Sequence, residues 1–189
     1  VLGFPFITFL APGLICMSVI QQGFSHSASS LMIGKIQGNI VDTLFAPLSA
    51  AEVTLAIIFA AVTRSIIIVV ISIIVFSFIV EIKIVNYLLF FSYLFLSSFI
   101  MGSAGFIVGL WADKFDHMAT ATNFIIVPLS FLSGTFYSVE RLPNFLNILS
   151  HYNPFFHMID GFRYAFIGNL DGSLSFGLFY LTTLSIIIW

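Results

Sequence analysis

Four long apolar runs, at 2–25, 53–80, 84–112 and 118–139, constrain this chain more than any other feature of its sequence. Together they contain a single charged residue, Arg64. With a rise of about 1.5 Å per residue, about 20 helical residues cross a hydrocarbon core about 30 Å thick. Each run is long enough to span a bilayer, so the sequence predicts an all-α, polytopic helical membrane protein.

Composition supports this fold class and excludes others. Hydrophobic residues make up 60% of the chain and charged residues only 7%, whereas soluble domains carry about 25% charged residues. No basic patch is present and the formal net charge is −2, so no nucleic-acid partner is expected. Cys16 is the only cysteine, which rules out a disulfide within the chain and a metal site built on several cysteines.

The runs and the breaks between them predict one transmembrane domain over residues 1–189. Its spans are expected at about 4–24, 53–80, 86–111, 119–137 and 173–189. The chain begins at Val1 and ends at Trp189, inside the last of these runs. We therefore expect the sequence to be a fragment of a longer protein, with its last span truncated.

Arg64 is expected near a membrane interface, where its guanidinium can reach the lipid head groups. With Arg64 there, no span is expected to carry a charged residue at its middle. Ion-coupled transporters usually need such a residue, because the coupling ion is bound at membrane depth. The sequence therefore indicates that any energy for transport enters from outside the membrane domain.

The third run contains small residues at spacings of three and four, namely Ser98, Gly102, Gly105 and Gly109. On a helix these residues share one face, and their small size lets a second helix approach closely. We interpret this face as a packing surface between helices and not as the lining of a pore.

A short amphipathic helix is predicted over about 31–45, between the first two spans. Its apolar residues recur at helical spacing and are Ile33, Ile36, Ile40 and Leu44. Its other faces carry Lys35, Gln37, Asn39, Asp42 and Thr43. Such a helix is expected to lie on the membrane surface, where it can offer a docking surface to a protein partner.

A second short helix is predicted over about 154–168. It would be about 22 Å long, which is too short to cross the membrane. Aromatic and aliphatic residues line one side, and His157, Asp160 and Arg163 lie on another. We expect this helix either to lie in the membrane interface or to dip into the membrane and return. Asp160 and Arg163 are expected to form an ion pair.

Four segments resemble parts of the permeases of the ABC transporter type-2 exporter family. APGLI at 11–15 resembles the second transmembrane helix of the family. KIQGNI at 35–40 with LFAPLS at 44–49 resembles its cytoplasmic coupling helix and the turn that follows. PLSFLSGTFY at 128–137 resembles the end of its fifth helix. Its external hairpin before the last helix is matched by Leu142-Pro143, Asn153-Pro154, Asp160 and Arg163.

This resemblance covers essentially the whole chain and implies a transmembrane subunit of an ATP-driven exporter in the bacterial inner membrane. Relative to a complete family member, the N-terminal segment and the first helix are missing. The resemblance implies a homodimer or pseudo-dimer of permeases in membrane lipid, with a separate ABC ATPase subunit as partner. It also places residues 35–44 in the cytoplasm and 138–172 outside, which counts of lysine and arginine in the loops do not decide.

The resemblance further implies which residues act. The coupling residues are expected to be Lys35, Gln37, Asn39 and Asp42, and those of the external hairpin Gly134, Asp160 and Arg163. Gly134 is expected to let the fourth span break. A proline at position 39 is expected to remove a helical hydrogen bond and to abolish transport. No catalytic residue, metal or cofactor is expected in this chain, because ATP and Mg²⁺ are bound by the ATPase.

Two other classes of function remain open. An intramembrane enzyme acting on lipid-linked substrates would use Asp113, Asp116 and His117, since carboxylates and imidazole are suitable acid–base groups and metal ligands. A passive channel or scaffold subunit would need no ATPase at all. Neither class accounts for an amphipathic helix between the first two spans.

Overall fold

The computed structural model describes residues 6–80, 82–137, 139, 143–168 and 172–189, and its regular elements are all helical. In chain order they are α1 (Phe6–Gln37), α2 (Ile40–Phe45), α3 (Ala50–Ser77), α4 (Tyr87–Trp111), α5 (Phe115–Ala121), a π-helical segment (Thr122–Ile126), α6 (Val127–Leu132), α7 (Asn144–Tyr152), α8 (Pro154–Ile167) and α9 (Leu174–Ile188). Among the described residues, α1, α3 and α4 are each long and apolar enough to cross a membrane. The prediction of an all-α polytopic membrane protein is confirmed.

Close contact between α1 and α4 forms the centre of the bundle. A Cβ atom on Gly105 would overlap the backbone of Phe24, and one on Gly109 would lie 3.0 Å from the carbonyl oxygen of Ala28. Gly102 is less tightly packed, since a Cβ atom there would lie at an ordinary contact distance of 3.5 Å from Ser27 and from side chains of α3. The small residues of α4 therefore form a packing surface between helices, as the sequence predicted.

Helix α1 ends later in the chain than the sequence predicted. It continues from Phe6 through Gln37, whereas the sequence predicted a span at 4–24 and a separate amphipathic helix at 31–45. Ala28, Leu31 and Met32 are buried, so packing keeps this serine-rich stretch helical. The helix ends at Gly38, whose φ of 78° is in the left-handed region, and the predicted 31–45 helix is divided there.

Helix α3 places Arg64 well inside a long apolar helix. Arg64 lies midway between Ala50 and Ser77, about 20 Å from each end of the helix. The expectation that Arg64 lies near a membrane interface stays a prediction, because α3 is longer than the hydrocarbon core of a bilayer and its midpoint does not fix the depth of Arg64.

The predicted fourth span is occupied by α5, the π-helical segment and α6 in succession. The N–H of Val127 donates to the carbonyl of Thr122, five residues earlier. Pro128 follows directly and lacks the N–H that a regular helix would donate to the carbonyl of Phe124. The helix then ends at Leu132 and not at 137, and Gly134 in the following turn has a φ of 76°.

Helix α8 returns to the end of the bundle from which it starts. Asn153, just before it, bonds to Leu129 and Ser133 near the end of α6. Near its other end, the carbonyl of Ala165 accepts hydrogen bonds from Val85 and Asn86, just before α4. Both ends of α8 therefore lie at the same end of the bundle, which both predicted arrangements allow. Residues 4, 5 and 142, which the sequence assigned to the first span and to the hairpin motif, lie outside the described residues.

Candidate functional site

Lys35, a predicted coupling residue, connects the ends of two helices. Its Nζ donates hydrogen bonds to the carbonyl oxygens of Leu110, at 2.5 Å, and Ala112, at 3.0 Å. Carbonyls at the end of a helix have no partner within the helix and carry partial negative charge, so an ammonium group is well placed there. Lys35 therefore holds the end of α1 against the end of α4.

Gln37, Asn39 and Asp42 are exposed around the turn between α1 and α2. Asn39 Nδ2 donates to Gln37 Oε1 at 3.2 Å, and Asp42 lies in the first turn of α2, where a carboxylate complements the helix dipole. Asn39 precedes α2 with a φ of −67°, which proline adopts readily. The prediction that proline at position 39 breaks a helix was wrong, because the helix boundary lies after Asn39.

Apolar side chains are exposed beside these polar groups. Ile36 is 60% exposed and Phe45 is 86% exposed, and Val41 and Leu48 are also exposed. The sequence interpretation placed Ile36 on the apolar face of its predicted helix, but it missed Val41, Phe45 and Leu48. We call residues 35–49 the coupling segment. It presents an apolar surface with a polar border.

The coupling segment is joined firmly to α3 at its other end. Ser49 and Glu52 form a capping box, in which Ser49 Oγ accepts from the Glu52 N–H at 3.3 Å and Glu52 Oε2 accepts from the Ser49 N–H at 2.7 Å. The structure places the α1 junction at Gly38, because α1 is continuous through Ser27.

Arg163 lies at the centre of the contacts made by α8. Its Nη2 donates to the carbonyl oxygen of Gly134 at 2.7 Å, and its guanidinium carbon lies 3.9 Å from the centre of the Phe9 ring. A Cβ atom on Gly13 would lie 2.9 Å from the carbonyl oxygen of Thr135. Two of the predicted hairpin residues, Gly134 and Arg163, are thus brought into direct contact and packed against α1.

Asp160 is also buried, and its Oδ2 accepts a hydrogen bond from the Gly172 N–H at 2.9 Å. The ion pair of Asp160 with Arg163 stays a prediction. The polar side of α8 faces protein, because α8 is covered by α1, α4 and α9. We call α8 with the turn at 133–137 the α8 region.

Other side chains of the α8 region were missed by the sequence interpretation. Asn153 Nδ2 donates to the carbonyl of Leu129 and to Ser133 Oγ, each at 2.9 Å, while its Oδ1 accepts from the Phe155 N–H. Buried His157 donates from Nε2 to the carbonyl of His151 at 2.9 Å. Burial lowers the pKa of His157, so its ring is neutral near pH 7. These hydrogen bonds hold α8 in its position.

Asp113, Asp116 and His117, the residues of the alternative enzyme hypothesis, lie just after α4. Asp113 and Asp116 are exposed, and the His117 ring lies against Trp111 with 5.4 Å between ring centres. Among the described residues, no group of three or more histidines, cysteines and carboxylates is placed to hold a metal ion. No observation at this turn favours the enzyme hypothesis over a polar connection between helices.

Comparison with known proteins gives two results. The family model described as "ABC-2 type transporter" matches residues 1–167. The chain is 33% identical to "Inner membrane transport permease YadH" of Escherichia coli (strain K12) over 191 aligned positions, which cover 99% of this chain and 75% of that protein. The protein of the same name from Shigella flexneri matches with the same identity and coverage.

Proposed function

The chain belongs to the ABC-2 type transporter family, and from this premise we propose that it is the transmembrane subunit of an ATP-driven exporter. The family and the transport-permease relatives support a transmembrane transporter subunit in the bacterial inner membrane, crossing it several times. The proposal adds that ATP hydrolysis by a separate ABC ATPase subunit drives export. No cofactor is assigned to this chain, and ATP and Mg²⁺ belong to that partner.

The exposed apolar surface of the coupling segment is the observation that carries this proposal. Among the described residues, Ile36, Val41, Phe45 and Leu48 are exposed, and the polar residues Gln37, Asn39 and Asp42 border them. An apolar centre with a polar border is the usual form of a protein interface. We assign this surface to the ATPase subunit, which makes its end of the bundle cytoplasmic and places the α8 region outside.

Two rigid connections would transmit movement from this surface. Lys35 holds the segment to the end of α4, and the Ser49–Glu52 capping box fixes it to the start of α3. Movement of the coupling segment would thus be transmitted to α1, α3 and α4, which would move with it as a nearly rigid body. Closure of the ATPase dimer on binding ATP would drive this movement and open a path between two permease copies, paired as a homodimer or pseudo-dimer in the lipid bilayer.

Crosslinking from the coupling segment tests this proposal. Asn39→Cys is introduced with Cys16→Ser into the full-length permease, expressed with its ATPase subunit. The proposal predicts capture of a nucleotide-binding subunit with a yield that changes on adding ATP. Labelling of position 39 only from outside the cell, or capture of no ATPase, would contradict it.

A matched control comes from α7, at the opposite end of the bundle. Phe145 is 76% exposed, so Phe145→Cys in the same Cys16→Ser background is similarly accessible. It is expected to be labelled from outside the cell and to capture no ATPase. Equal capture from both positions would show that the crosslinker reports proximity in the membrane and not docking.

A further inference from the structure

Arg64 and His26 form a polar pair between α3 and α1. Arg64 Nη1 donates to His26 Nδ1 at 3.0 Å, and among the described residues no carboxylate forms an ion pair with Arg64. Arg64 is exposed on this chain and His26 is partly exposed. The pair is therefore accessible from outside the protomer.

The hydrogen bond between them determines what the pair can bind. Because the guanidinium can only donate, His26 Nδ1 must be the acceptor and carries no proton. The neutral ring then has its proton on Nε2, which is a donor. The remaining N–H groups of Arg64 are donors as well, and the pair keeps the full positive charge of the arginine. Such an arrangement suits an anion with several acceptor oxygens.

Arg64 lies inside α3, a helix long and apolar enough to cross a membrane, about 20 Å from either end of that helix. Exposing a charged side chain of such a helix to lipid tails is costly. Intramembrane cations of this kind face other protein or a water-filled path, and they mark the routes of ions and substrates.

A cavity of about 980 Å³ lies against the same two helices and is lined on another side by the coupling segment, including Asn39 and Leu48. Ser30 of its lining is one turn from His26, and Ile57 is two turns from Arg64. The other walls are largely apolar and include Leu31, Phe106 and Leu110. Its volume is at the upper end of the range for small-molecule sites, so it can accept the apolar part of an amphiphile.

We propose that Arg64 and His26 bind the phosphate or carboxylate group of an anionic amphiphile whose apolar part occupies this cavity. The assignment rests on the proposed function, because a transport path gives such a ligand its access to this pair. It names the class of substrate: an apolar chain with an anionic group.

Binding to the full-length permease in nanodiscs of phosphatidylcholine tests the assignment. The probe is radiolabelled dodecyl phosphate, the neutral comparison is dodecanol, and binding to empty discs is subtracted. Arg64→Gln is expected to weaken dodecyl phosphate binding about tenfold or more, since it removes the charge. Arg64→Lys restores the charge and is expected to lose less affinity, and dodecanol binding is expected to be unchanged in both variants.

Lys114→Gln is the matched control, because it removes one exposed cation outside the spans. Its affinity for dodecyl phosphate is expected to equal that of the unmodified protein. Equal affinity of Arg64→Gln and the unmodified protein would overturn the assignment, as would equal loss in Lys114→Gln. Inorganic phosphate binding as tightly as dodecyl phosphate would overturn the role of the cavity.

A second disc composition identifies the source of the anionic group. If phosphatidylglycerol in the disc displaces dodecyl phosphate, the site takes a bilayer lipid; if it does not, the site selects another amphiphile. Both results support the site itself.

The two proposals can fail separately, because dodecyl phosphate binding is measured without ATP. Loss of this binding would not contradict the exporter proposal. Failure to capture an ATPase at position 39 would not change the interpretation of the binding measurement.

Discussion

The coupling segment and the α8 region contrast in how the rest of the chain holds them. The coupling segment has exposed apolar side chains, an exposed Asn39–Gln37 hydrogen bond and contacts at its two ends. In the α8 region, Asp160 and Arg163 are buried, and α8 packs against α1, α4 and α9. The contrast shows that one end of the bundle is fixed by its own chain, whereas apolar side chains stay exposed at the other end.

This difference separates stability from coupling. Changes in the α8 region are expected to lower the free energy of unfolding, because buried polar groups would lose their partners. Changes on the coupling surface are expected to leave stability nearly unaltered and to reduce ATPase capture and ATP-driven transport. The four substitutions below test that separation, from the largest expected effect on stability to the smallest.

Arg163→Leu is expected to have the largest effect, a loss of about 3 kcal/mol or more in the free energy of unfolding. It removes the donor to the carbonyl of Gly134 and the cation–π contact with the Phe9 ring. The Gly134 carbonyl would then be left buried without this hydrogen bond. Thermal unfolding of the purified permease in detergent measures the loss. An unchanged unfolding temperature would contradict a fixed α8 region.

Gly161→Val tests the packing of α8 without removing a hydrogen bond. A Cβ atom at this position would overlap the ring of Tyr93 on α4, so a branched side chain must push the two helices apart. A loss of about 2 kcal/mol is expected from overpacking. Gly168→Ala is the control for replacing a glycine at the end of α8 without overpacking. Nothing lies within 4 Å of a Cβ atom at position 168, although the φ of 72° there adds local backbone strain.

Lys35→Met is expected to have an intermediate effect. It keeps an unbranched side chain but removes the donor to the carbonyls of Leu110 and Ala112, which costs about 1 kcal/mol. Because it loosens the connection to α4, transport should fall more than stability does. Lys35→Arg, which retains donors and charge, should recover most of the transport. Normal transport by Lys35→Met would remove this lysine from the coupling path.

Phe45→Ser is expected to have the smallest effect on stability, under about 0.5 kcal/mol, because the ring is 86% exposed. ATPase capture from position 39 should nevertheless fall severalfold, since exposed aromatic rings anchor protein interfaces. Phe145→Ser on α7 changes a similarly exposed ring and is expected to leave capture unaltered. Equal capture by both variants would show that Phe45 is not part of the docking surface.

Much of this contrast could be anticipated from the sequence. Long apolar runs, the glycines of α4 and the short length of α8 each follow from local chemistry, so the helical fold was predictable. The division at Gly38 and the length of α1 were not, because they depend on the packing of Ala28 and Leu31 against other helices. The motif residues of the coupling segment were identified, while its exposed apolar surface was seen only in three dimensions.

The α8 region shows a further limit of sequence patterns. From the sequence, α8 was expected either to lie in the membrane interface or to dip into the membrane, with His157, Asp160 and Arg163 on its polar side. The structure buries these residues against protein, where they bond to backbone groups distant in sequence, such as the Gly134 carbonyl and the Gly172 N–H.

Hydrogen exchange of the permease bound to its ATPase subunit, compared with and without ATP, tests the central claim most directly. Our account predicts that ATP alters exchange of backbone amides across the coupling segment, residues 35–49, and leaves α8 protected throughout. Altered exchange in α8 with no change in the coupling segment would contradict the claim that the partner acts on the end of the bundle that the chain leaves uncovered.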